Sequence, residues 1–505
     1  MTMPKDYIRK ILTAGVYDVA EETPLEFAPL LSRRLGNRVW LKREDEQPIF
    51  SFKCRGAYNK MAALSSEALK KGVVAASAGN HAQGVALAGA RLKTRSIIVM
   101  PRTTPGIKVE AVKSLGGKVV LHGDTYDEAY EHAIELCRTQ KLTFIHPYDD
   151  PDVIAGQGTI GFEILKQHPG ELHAIFVPVG GGGLIAGIAV YVKQLRPEVR
   201  IIGVEPEDAD AMSRSLAAGR RVRLDHVGIF ADGVTVRTPG KENFRLAKRF
   251  VDDVVVVSND EICGAIKDIF EDQRSVLEPA GALAFAGLKR YLQRHRLKNA
   301  QLIAIASGAN VNFDRLRHVA ERAEIGERRE AILAVTIPEQ PGSFRKFCAA
   351  IGNHSITEFN YRYSDTKSAH VFVGVKISDG KETKRLIANL RKHGYQTLDM
   401  IDNEMAKLHI RHLVGGRAPN AMNETLYRFE FPERPGALRN FLDKMGQTWN
   451  ISLFHYRNHG ADFGRVLVGM QVPPQEKKQF QKFLDSLGYA YVEESDNPAY
   501  KLFLN

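Results

Sequence analysis

Apolar and polar residues follow two different patterns along this chain, and the change falls near residue 325. From about residue 72 to residue 310, short apolar β-rich runs alternate with segments of helical periodicity. Three of these runs are Val73-Val74-Ala75-Ala76, Ser96-Ile97-Ile98-Val99-Met100 and Ile175-Phe176-Val177-Pro178-Val179. Such alternation is typical of a largely parallel sheet whose crossover helices cover both faces. It predicts an open, doubly wound α/β domain.

Polar or glycine-rich loops follow the apolar runs. The first run leads into Ser77-Ala78-Gly79-Asn80-His81, and the third leads into Gly180-Gly181-Gly182-Gly183. In open α/β sheets, ligands bind outside the carboxyl ends of the strands. We therefore expect these loops to meet at one cleft although they lie far apart in the sequence.

An internal repeat replaces this pattern after about residue 325. Pro338-Glu339-Gln340-Pro341-Gly342 recurs as Pro432-Glu433-Arg434-Pro435-Gly436, and Phe359-Asn360-Tyr361-Arg362 recurs as Phe454-His455-Tyr456-Arg457. Each repeat predicts the order strand, turn, helix, strand, strand, helix, strand, which is that of a ferredoxin-like sandwich. The predicted domains are 1–325, 331–402 and 425–496. A packing or oligomerisation role for the two modules stays open beside ligand sensing.

Composition narrows the class of protein. The chain has 505 residues, 44% hydrophobic and 26% charged, and a prior of roughly 100–200 residues per domain predicts two to four domains. No apolar run approaches the ~20 residues that span a bilayer, and the first residues lack the apolar core of a signal peptide. Cys54, Cys137, Cys263 and Cys348 match neither a disulfide framework nor a metal motif. A cytoplasmic protein without membrane insertion is expected.

The formal net charge of +11 raises the question of nucleic-acid binding. The cationic residues are scattered, and the densest groups interleave acids with bases, as in Glu327-Arg328-Arg329-Glu330. Aromatic-basic binding motifs do not accompany them. Solvated helix faces explain the pattern better, so no nucleic-acid partner is expected.

Lys53 is the first candidate for chemistry. It follows Pro48-Ile49-Phe50-Ser51-Phe52, an unusually apolar approach to a lysine. Desolvation disfavours the ammonium form, and a neutral amine can attack an aldehyde to give a Schiff base. Phe52 is a candidate to pack against the ring of that aldehyde, with simple core packing as the alternative.

Three further segments suit one phosphorylated aromatic ring. Gly180 to Gly183 precede the apolar helix that begins near Leu184, so that their amides can cradle a phosphate, and the spacing of a dinucleotide fingerprint is not cleanly met. The Asn80 amide can hydrogen-bond a phenolic oxygen, and the Ser307 hydroxyl can meet a pyridine nitrogen. Either loop alone could be an ordinary turn. Together with Lys53, they predict pyridoxal phosphate.

The motifs resemble those of a known family over nearly the whole chain. It is the family of fold-type II pyridoxal-phosphate enzymes, and within it the biosynthetic threonine dehydratases. The motifs are Ser51-Phe52-Lys53-Cys54-Arg55-Gly56-Ala57, Ala76-Ser77-Ala78-Gly79-Asn80-His81-Ala82-Gln83-Gly84, Ala155-Gly156-Gln157-Gly158-Thr159, Gly180-Gly181-Gly182-Gly183-Leu184, Glu278-Pro279-Ala280-Gly281-Ala282 and Ser307-Gly308-Ala309-Asn310.

The resemblance implies a fold and a set of roles. The fold would be a catalytic domain of two doubly wound open-sheet subdomains, followed by two ferredoxin-like, ACT-like regulatory modules. Lys53 would be the Schiff-base lysine and the base that takes the Cα proton. The other implied cofactor contacts are Phe52, Asn80, Gly180, Gly181, Gly182, Gly183, Leu184 and Ser307. The implied substrate-carboxylate loop is Ser77, Ala78, Gly79, Asn80 and His81.

The implied reaction converts L-threonine to 2-oxobutanoate and ammonia, the first step of isoleucine biosynthesis, with L-serine as a second substrate. Serine racemases of this fold carry a serine where this chain has Ala78, so that racemisation would lack its second proton donor. Serine dehydratase, serine racemase, β-replacement and a non-catalytic amino-acid sensor remain the alternatives. Some relatives bind a cation beside Glu-Pro, but Ala211 occupies a ligand position near Glu205-Pro206, so no metal is assigned.

The repeats resemble regulatory modules that catabolic relatives lack, which implies inhibition by isoleucine, activation by valine and a homotetramer. The effector pocket would lie between modules or between subunits. Weak candidates for effector contacts are Phe359, Tyr361, Arg362, Phe454, Tyr456 and Arg457, for which paired positions of an inner sheet are an equal alternative.

Overall fold

A computed structural model describes residues 4–228, 230–326, 329–364, 366–408, 410–412, 415–416, 418–432, 437–445, 448–457 and 463–504. The chain divides into two compact units, Met1–Gly326 and Glu327–Asn505. None of the helices in these described ranges combines the length and the apolar character needed to cross a membrane.

Strands and helices alternate in the first unit. Its strands are β1 Leu25–Phe27, β2 Arg38–Arg43, β3 Val73–Ala76, β4 Ser96–Met100, β5 Lys118–Leu121, β6 Thr143–Phe144, β7 Ala174–Pro178, β8 Arg200–Pro206, β9 Asp253–Val257 and β10 Gln301–Ala306. Its helices are α1 Pro4–Leu12, α2 Pro29–Leu35, α3 Lys53–Ala62, α4 Ser66–Lys71, α5 Asn80–Arg91, α6 Gly106–Ser114, α7 Tyr126–Gln140, α8 Pro151–Gln167, α9 Gly183–Leu195, α10 Ala211–Ala218, α11 Lys241–Phe250, α12 Asn259–Gln273, α13 Pro279–His295 and α14 Asp314–Gly326.

Two sheets organise these elements into two subdomains. The larger has the order β1-β2-β10-β7-β8-β9 and is parallel except for the β1–β2 pair, and the smaller has the parallel order β5-β4-β3-β6. Both sheets are buried on both faces. Phe176 of β7 joins one core and Ile175 the other, because successive strand residues point to opposite faces. The predicted doubly wound subdomains are confirmed.

The second unit is built from antiparallel strands. Its strands are β11 Glu330–Pro338, β12 Ile356–Arg362, β13 Ser368–Lys376, β14 Gln396–Asp399, β15 Glu424–Pro432, β16 Asn450–Arg457, β17 Phe463–Gln471 and β18 Tyr491–Glu493. Its helices are α15 Ser343–Ile351, α16 Gly380–Lys392, α17 Glu404–Leu408, α18 Ala437–Met445, α19 Lys477–Leu487 and α20 Pro498–Phe503.

One eight-stranded sheet runs through both repeats, in the order β14-β11-β13-β12-β16-β17-β15-β18. Each half has the ferredoxin-like order of the sandwich that the repeat predicts. The central strands β12 and β16 pair antiparallel, with Phe359 opposite Tyr456 and Tyr361 opposite Phe454. The sequence did not predict the short helices α17 and α20 that follow the two halves.

Candidate active site

Lys53 begins helix α3, directly after a loop that is fixed to the end of β10. Ser51 forms an isolated antiparallel β-bridge with Gly308. The Phe52 amide donates to the Ser307 carbonyl at 3.4 Å. The Lys53 Nζ donates to the Pro147 carbonyl oxygen at 3.1 Å and lies 5.3 Å from the centre of the Phe52 ring. Burial lowers the pKa of Lys53 to about 8, against the opposing charge of Glu278. A neutral amine is therefore accessible near neutral pH.

Asn80 begins helix α5 at the end of β3 and is held at both ends of its amide. Its Nδ2 donates to Glu278 Oε1 at 2.6 Å, and its Oδ1 accepts from Asn310 Nδ2 at 2.7 Å. Asn310 also donates to the carbonyl of Ile49 at 2.8 Å. These contacts join three motifs that are far apart in the sequence.

The loop of residues 77–81 is partly exposed except at its last residue. His81 is buried, and its Nε2 lies 2.9 Å from the Ile145 carbonyl oxygen. Burial, aided by the charge of Lys53, lowers the pKa of His81 to about 3, so that the imidazole is neutral. The first amides of α5, rather than a histidine cation, are the groups suited to a substrate carboxylate.

The glycine run lies between β7 and helix α9, and its surroundings explain part of its composition. Gly182 has φ +93°, which favours glycine. A Cβ on Gly181 would lie 2.3 Å from the Tyr148 ring, and one on Gly183 would lie 2.9 Å from the Tyr148 carbonyl oxygen. The sequence attributed these glycines to a phosphate cradle, but Tyr148 itself occupies part of the space beside them. The amides of the first turn, through the buried Leu184, are those that an α-helix leaves without an intrahelical acceptor, and they suit a phosphate.

Ser307 follows the last residue of β10 and is buried. Its Oγ donates to the Ala280 carbonyl oxygen at 3.2 Å, at the start of α13. The hydroxyl is neutral and keeps its lone pairs for a second partner.

These groups fit pyridoxal phosphate. A buried amine, an aromatic ring, a fixed amide, a glycine loop at a helix start and a buried hydroxyl meet at the carboxyl ends of β3, β7 and β10. Pro147 and Tyr148 connect them, since Pro147 accepts from Lys53 and Tyr148 packs on the glycine run. The roles of the individual residues remain predictions.

Sequence reasoning missed several groups of this site. Glu278 and Asn310 belong to motifs that were noted without a role, and their contacts with Asn80 come from the tertiary fold. Asn243 donates to the Gly181 carbonyl at 2.8 Å and to the Tyr148 carbonyl at 3.0 Å, from a stretch without any sequence signal.

Glu205 has a structural partner. Its two carboxylate oxygens accept from the amides of Met212 and Ser213, both at 2.8 Å, at the start of α10. Burial raises the pKa of Glu205 to about 8. Within the described ranges, no group of three or more potential ligands has the arrangement of a metal site.

The candidate effector residues lie where the two halves of the second unit meet. Phe359 and Phe454 are buried and pack edge to face, with ring centres 5.2 Å apart, which favours the packing interpretation for them. Tyr361 donates to Glu339, and Arg362 pairs with Glu424. Tyr456 is buried, and the side chain of Arg457 lies outside the described residues.

A small cleft opens beside these residues. The first half contributes the turn at Pro341 and the start of α15, and the second contributes α18 and the start of β16. The cleft is lined by Pro341, Gly342, Phe344, Arg345, Leu442, Trp449, Asn450 and Ile451.

The matches to known protein families divide the chain near the boundary between its two units. Residues 16–308 match the family described as pyridoxal-phosphate dependent enzyme, and residues 321–410 and 415–504 each match the C-terminal regulatory domain of threonine dehydratase. The chain is 59% identical over 503 residues to the biosynthetic L-threonine dehydratase IlvA of Burkholderia multivorans, covering 99% of each. It is 52% identical to that of Escherichia coli K12, covering 99% of this chain and 97% of the relative.

Solved structures of related enzymes superpose on this chain. Processed threonine deaminase isoform 2 of Solanum lycopersicum superposes with a TM-score of 0.63 at 53% identity, covering 64% of this chain and 88% of the other. Maize serine racemase superposes with a TM-score of 0.58 at 33% identity, covering 62% of this chain and 96% of the other. The chain belongs to the pyridoxal-phosphate dependent enzymes. Within that family, it falls among the biosynthetic threonine dehydratases and carries their regulatory domain twice.

Proposed function

We propose that this protein converts L-threonine to 2-oxobutanoate and ammonia, with pyridoxal phosphate as cofactor, as the first step of isoleucine biosynthesis in the cytoplasm. The observation that carries the proposal is the partly buried Lys53 amine, which donates to the Pro147 carbonyl and whose pKa is lowered to about 8, among groups that fit the cofactor. The relatives named as threonine dehydratases support the choice of substrate, because they cover nearly the full chain.

When bound, pyridoxal phosphate supplies an aldehyde that captures amines and a ring that withdraws electrons from Cα. Lys53 would hold the cofactor through its amine, the glycine loop and Leu184 would hold the phosphate, and the neutral hydroxyl of Ser307 would meet the ring nitrogen. Phe52 would pack on the ring, and Asn80 would donate to its phenolic oxygen.

The proton chemistry falls to Lys53. The Lys53 amine would take the Cα proton of the bound substrate, for which a pKa of about 8 is well suited. The Pro147 carbonyl keeps the amine oriented at 3.1 Å. The first turn of α5 and residues 77–81 bind the substrate carboxylate. Ala78 cannot donate a proton from the other face, which disfavours racemisation despite the similar fold of serine racemases.

Turnover by the purified full-length protein tests the proposal. An absorbance band in the ~400–430 nm region that borohydride abolishes is expected for a lysine-linked aldehyde. Threonine should give 2-oxobutanoate, and serine assayed in parallel gives the preference between the two. A protein that binds the cofactor but releases no oxoacid from either would instead be an amino-acid sensor.

We further propose that isoleucine inhibits and valine activates this reaction through the second unit, in a homotetramer. The cleft between its halves offers an apolar wall at Trp449 and Ile451 beside the polar Asn450, a combination suited to an aliphatic amino acid. Asn450 donates to Glu339 at 3.1 Å, and Tyr361 donates to the same carboxylate. Tyr361 is therefore connected to the cleft.

Replacement of Tyr361 tests the regulatory part. Tyr361→Phe keeps the buried ring and removes the hydroxyl bonded to Glu339. The isoleucine concentration for half inhibition should rise about tenfold, the scale of one lost coupling. Uninhibited turnover should stay unchanged. Tyr363→Phe, two residues further along, is the matched control and should respond normally. Equal isoleucine responses in both variants would place the effector elsewhere.

A further inference from the structure

Glu278 is a buried carboxyl group beside the candidate site, at the start of α13. It is 4% exposed, and its backbone amide donates to the Gly308 carbonyl at 3.1 Å. A Cβ added to Gly308 would lie 2.6 Å from Glu278 Oε1, and one added to Gly233 would lie 3.5 Å from it. Gly308 thus leaves space that this carboxyl group fills, whereas a Cβ on Gly233 would be in ordinary contact with it.

The carboxyl group faces one end of the Asn80 amide. Glu278 Oε1 accepts from Asn80 Nδ2 at 2.6 Å, while Asn310 donates to Asn80 Oδ1 at 2.7 Å. An amide that accepts at one end and donates at the other cannot flip without losing both bonds. One hydrogen of Asn80 Nδ2 remains for the ring oxygen of the cofactor. Glu278 and Asn310 therefore form a clamp that orients Asn80.

Neighbouring groups shift the pKa of Glu278 in opposite directions. Burial and the charge of Asp232 raise the pKa of Glu278 to about 7, while Asn80, Lys108 and Arg315 lower it. Lys108 and Arg315 each form an ion pair with Asp232. The nitrogen-to-oxygen distances are 2.6 Å for Lys108 and 3.4 Å for Arg315.

The Lys53 amine faces this carboxyl group and two imidazoles. The charge of Glu278 raises the pKa of Lys53, opposing the larger effect of burial. Burial and the charge of Lys53 lower the pKa of His81 and of His146, so that neither competes with Lys53 for protons at neutral pH. Glu278 is thus the acid that stabilises the charged form of Lys53.

We propose that Glu278 is a positioning residue that holds the Asn80 amide towards the cofactor ring and supplies the negative charge facing the Lys53 amine. The inference rests on the proposed function, since it deepens the roles of Lys53 and Asn80. It assigns two separable effects to one carboxyl group, an orienting hydrogen bond and a charge.

Two variants separate the hydrogen bond from the charge. Glu278→Gln keeps an oxygen that accepts from Asn80 and removes the charge. Glu278→Asp keeps the charge, but its shorter side chain moves the carboxylate away from Asn80. In the full-length holoenzyme, the midpoint pH at which the cofactor absorbance changes should fall by about one unit in Glu278→Gln, because a nearby opposite charge is lost. In Glu278→Asp, this midpoint should stay near that of the wild type, and the Kd for pyridoxal phosphate should rise.

The pH dependence of turnover distinguishes this role from a merely structural one. Because Glu278 gains its charge as the pH rises through about 7, the ratio of wild-type to Glu278→Gln kcat should grow over that range. Below it, both proteins carry a neutral side chain and should converge. A ratio that is constant with pH, with an unmoved absorbance midpoint, would overturn the proposed charge effect. If Glu278→Gln does not fold, a Glu278→Asp midpoint shifted by a full unit would do the same.

Asn310→Ala tests the clamp by removing the donor at the other end of Asn80. The Kd for pyridoxal phosphate should rise about tenfold, the value of one lost hydrogen bond in a buried network, without a change in the absorbance midpoint. Unchanged affinity would overturn the orienting role. Glu110→Gln, on the exposed surface of α6, is the control and should match the wild type. Wild-type protein that makes no 2-oxobutanoate would contradict the proposed function, whereas the affinity and absorbance comparisons would still test the clamp.

Discussion

Lys53 and Arg55 lie two residues apart on helix α3, and their surroundings differ sharply. In the described part of the chain, the Lys53 amine bonds only to a backbone carbonyl, that of Pro147. The guanidinium of Arg55 bonds to the carboxylates of Glu44 and Glu163, at 2.8 and 2.5 Å. Arg55 is fully buried and Lys53 is only partly exposed. The two cations differ most in the number of carboxylates that compensate their charge.

The Arg55 environment is a sealed group of four charges. Arg55 and Lys42 carry the positive charges, Glu44 and Glu163 the negative ones, and all four side chains are 0% exposed. Lys42 reaches Glu163 at 2.6 Å. Buried charges are tolerated when each is paired and hydrogen-bonded. This cluster therefore anchors α3 between strand β2 and helix α8.

The difference separates a structural cation from a chemical one. A fully paired guanidinium has no unsatisfied donor to give to a substrate, whereas a buried amine without a bonded carboxylate is left with a lowered pKa and a free lone pair. Arg55 thus holds the helix on which Lys53 acts. Substitutions at the two positions should fail in different ways.

Lys53→Ala should have the largest effect. Removing the amine removes both the covalent attachment and the proposed Cα base, so turnover of threonine should fall by about 10³-fold or more. The free energy of unfolding should change little, because no carboxylate loses its partner. Oxoacid release and chemical denaturation of the same sample measure the two quantities. Turnover within tenfold of the wild type would remove Lys53 from the mechanism.

Arg55→Met should reverse this pattern. Without the guanidinium, Glu44 loses its cationic partner and Glu163 keeps only Lys42, so the free energy of unfolding should fall by about 3–5 kcal/mol. Adding Glu44→Gln removes one of the orphaned charges and should restore part of that loss. Denaturation of both variants measures the effect. A double variant less stable than Arg55→Met alone would contradict the description as a balanced charge cluster.

The pH dependence of stability extends the comparison to an intermediate case, Glu205, which among the described residues is bonded to two amides but to no cation. Its pKa is raised to about 8 in the folded state, so the folded protein holds a proton that the unfolded chain has lost. Its stabilising contribution is therefore complete below about pH 4.5 and is lost as the pH rises through about 8.

Glu205→Gln makes that contribution measurable. The stability difference between the wild type and the variant should shift by about 3–4 kcal/mol between pH 5 and pH 8, in favour of the variant at the higher pH. Thermal or chemical unfolding of both proteins across this range is the measurement. A difference that does not vary with pH would mean that the carboxyl group is ionised throughout.

Much of the catalytic unit could be predicted from local sequence. The alternation of apolar runs and helical segments predicted the parallel sheets, and the loops after the apolar runs predicted Asn80 and the glycine run. Lys53 was predicted from the apolar residues before it, and Ser307 from a hydroxyl that suits a ring nitrogen. Contacts between distant segments could not be predicted. The Glu278 bond to Asn80 depends on how the two subdomains meet, and Tyr148 fills space beside Gly181 that the sequence left to a ligand.

The second unit shows the same limit. The repeat predicted both ferredoxin-like halves, because each half carries its own strand and turn signals. That β12 pairs with β16 to make one continuous sheet could not be predicted from either repeat alone. Pairing of that kind depends on which strand edges remain free, and the pattern of one module does not contain that information.

Lys71 and Glu67 on α4 form an exposed ion pair, which we expect to be the weakest of these charge interactions. Their charged atoms lie 2.6 Å apart, about as close as Lys42 and Glu163, but the side chains are 44% and 79% exposed. Solvent and salt screen such a pair, and its two flexible side chains lose entropy in forming it. Lys71→Met should therefore change the free energy of unfolding by no more than about 0.5 kcal/mol, measured by denaturation at low and at high salt. A loss near that of Arg55→Met would show that distance, rather than burial and compensation, sets the value of an ion pair in this protein.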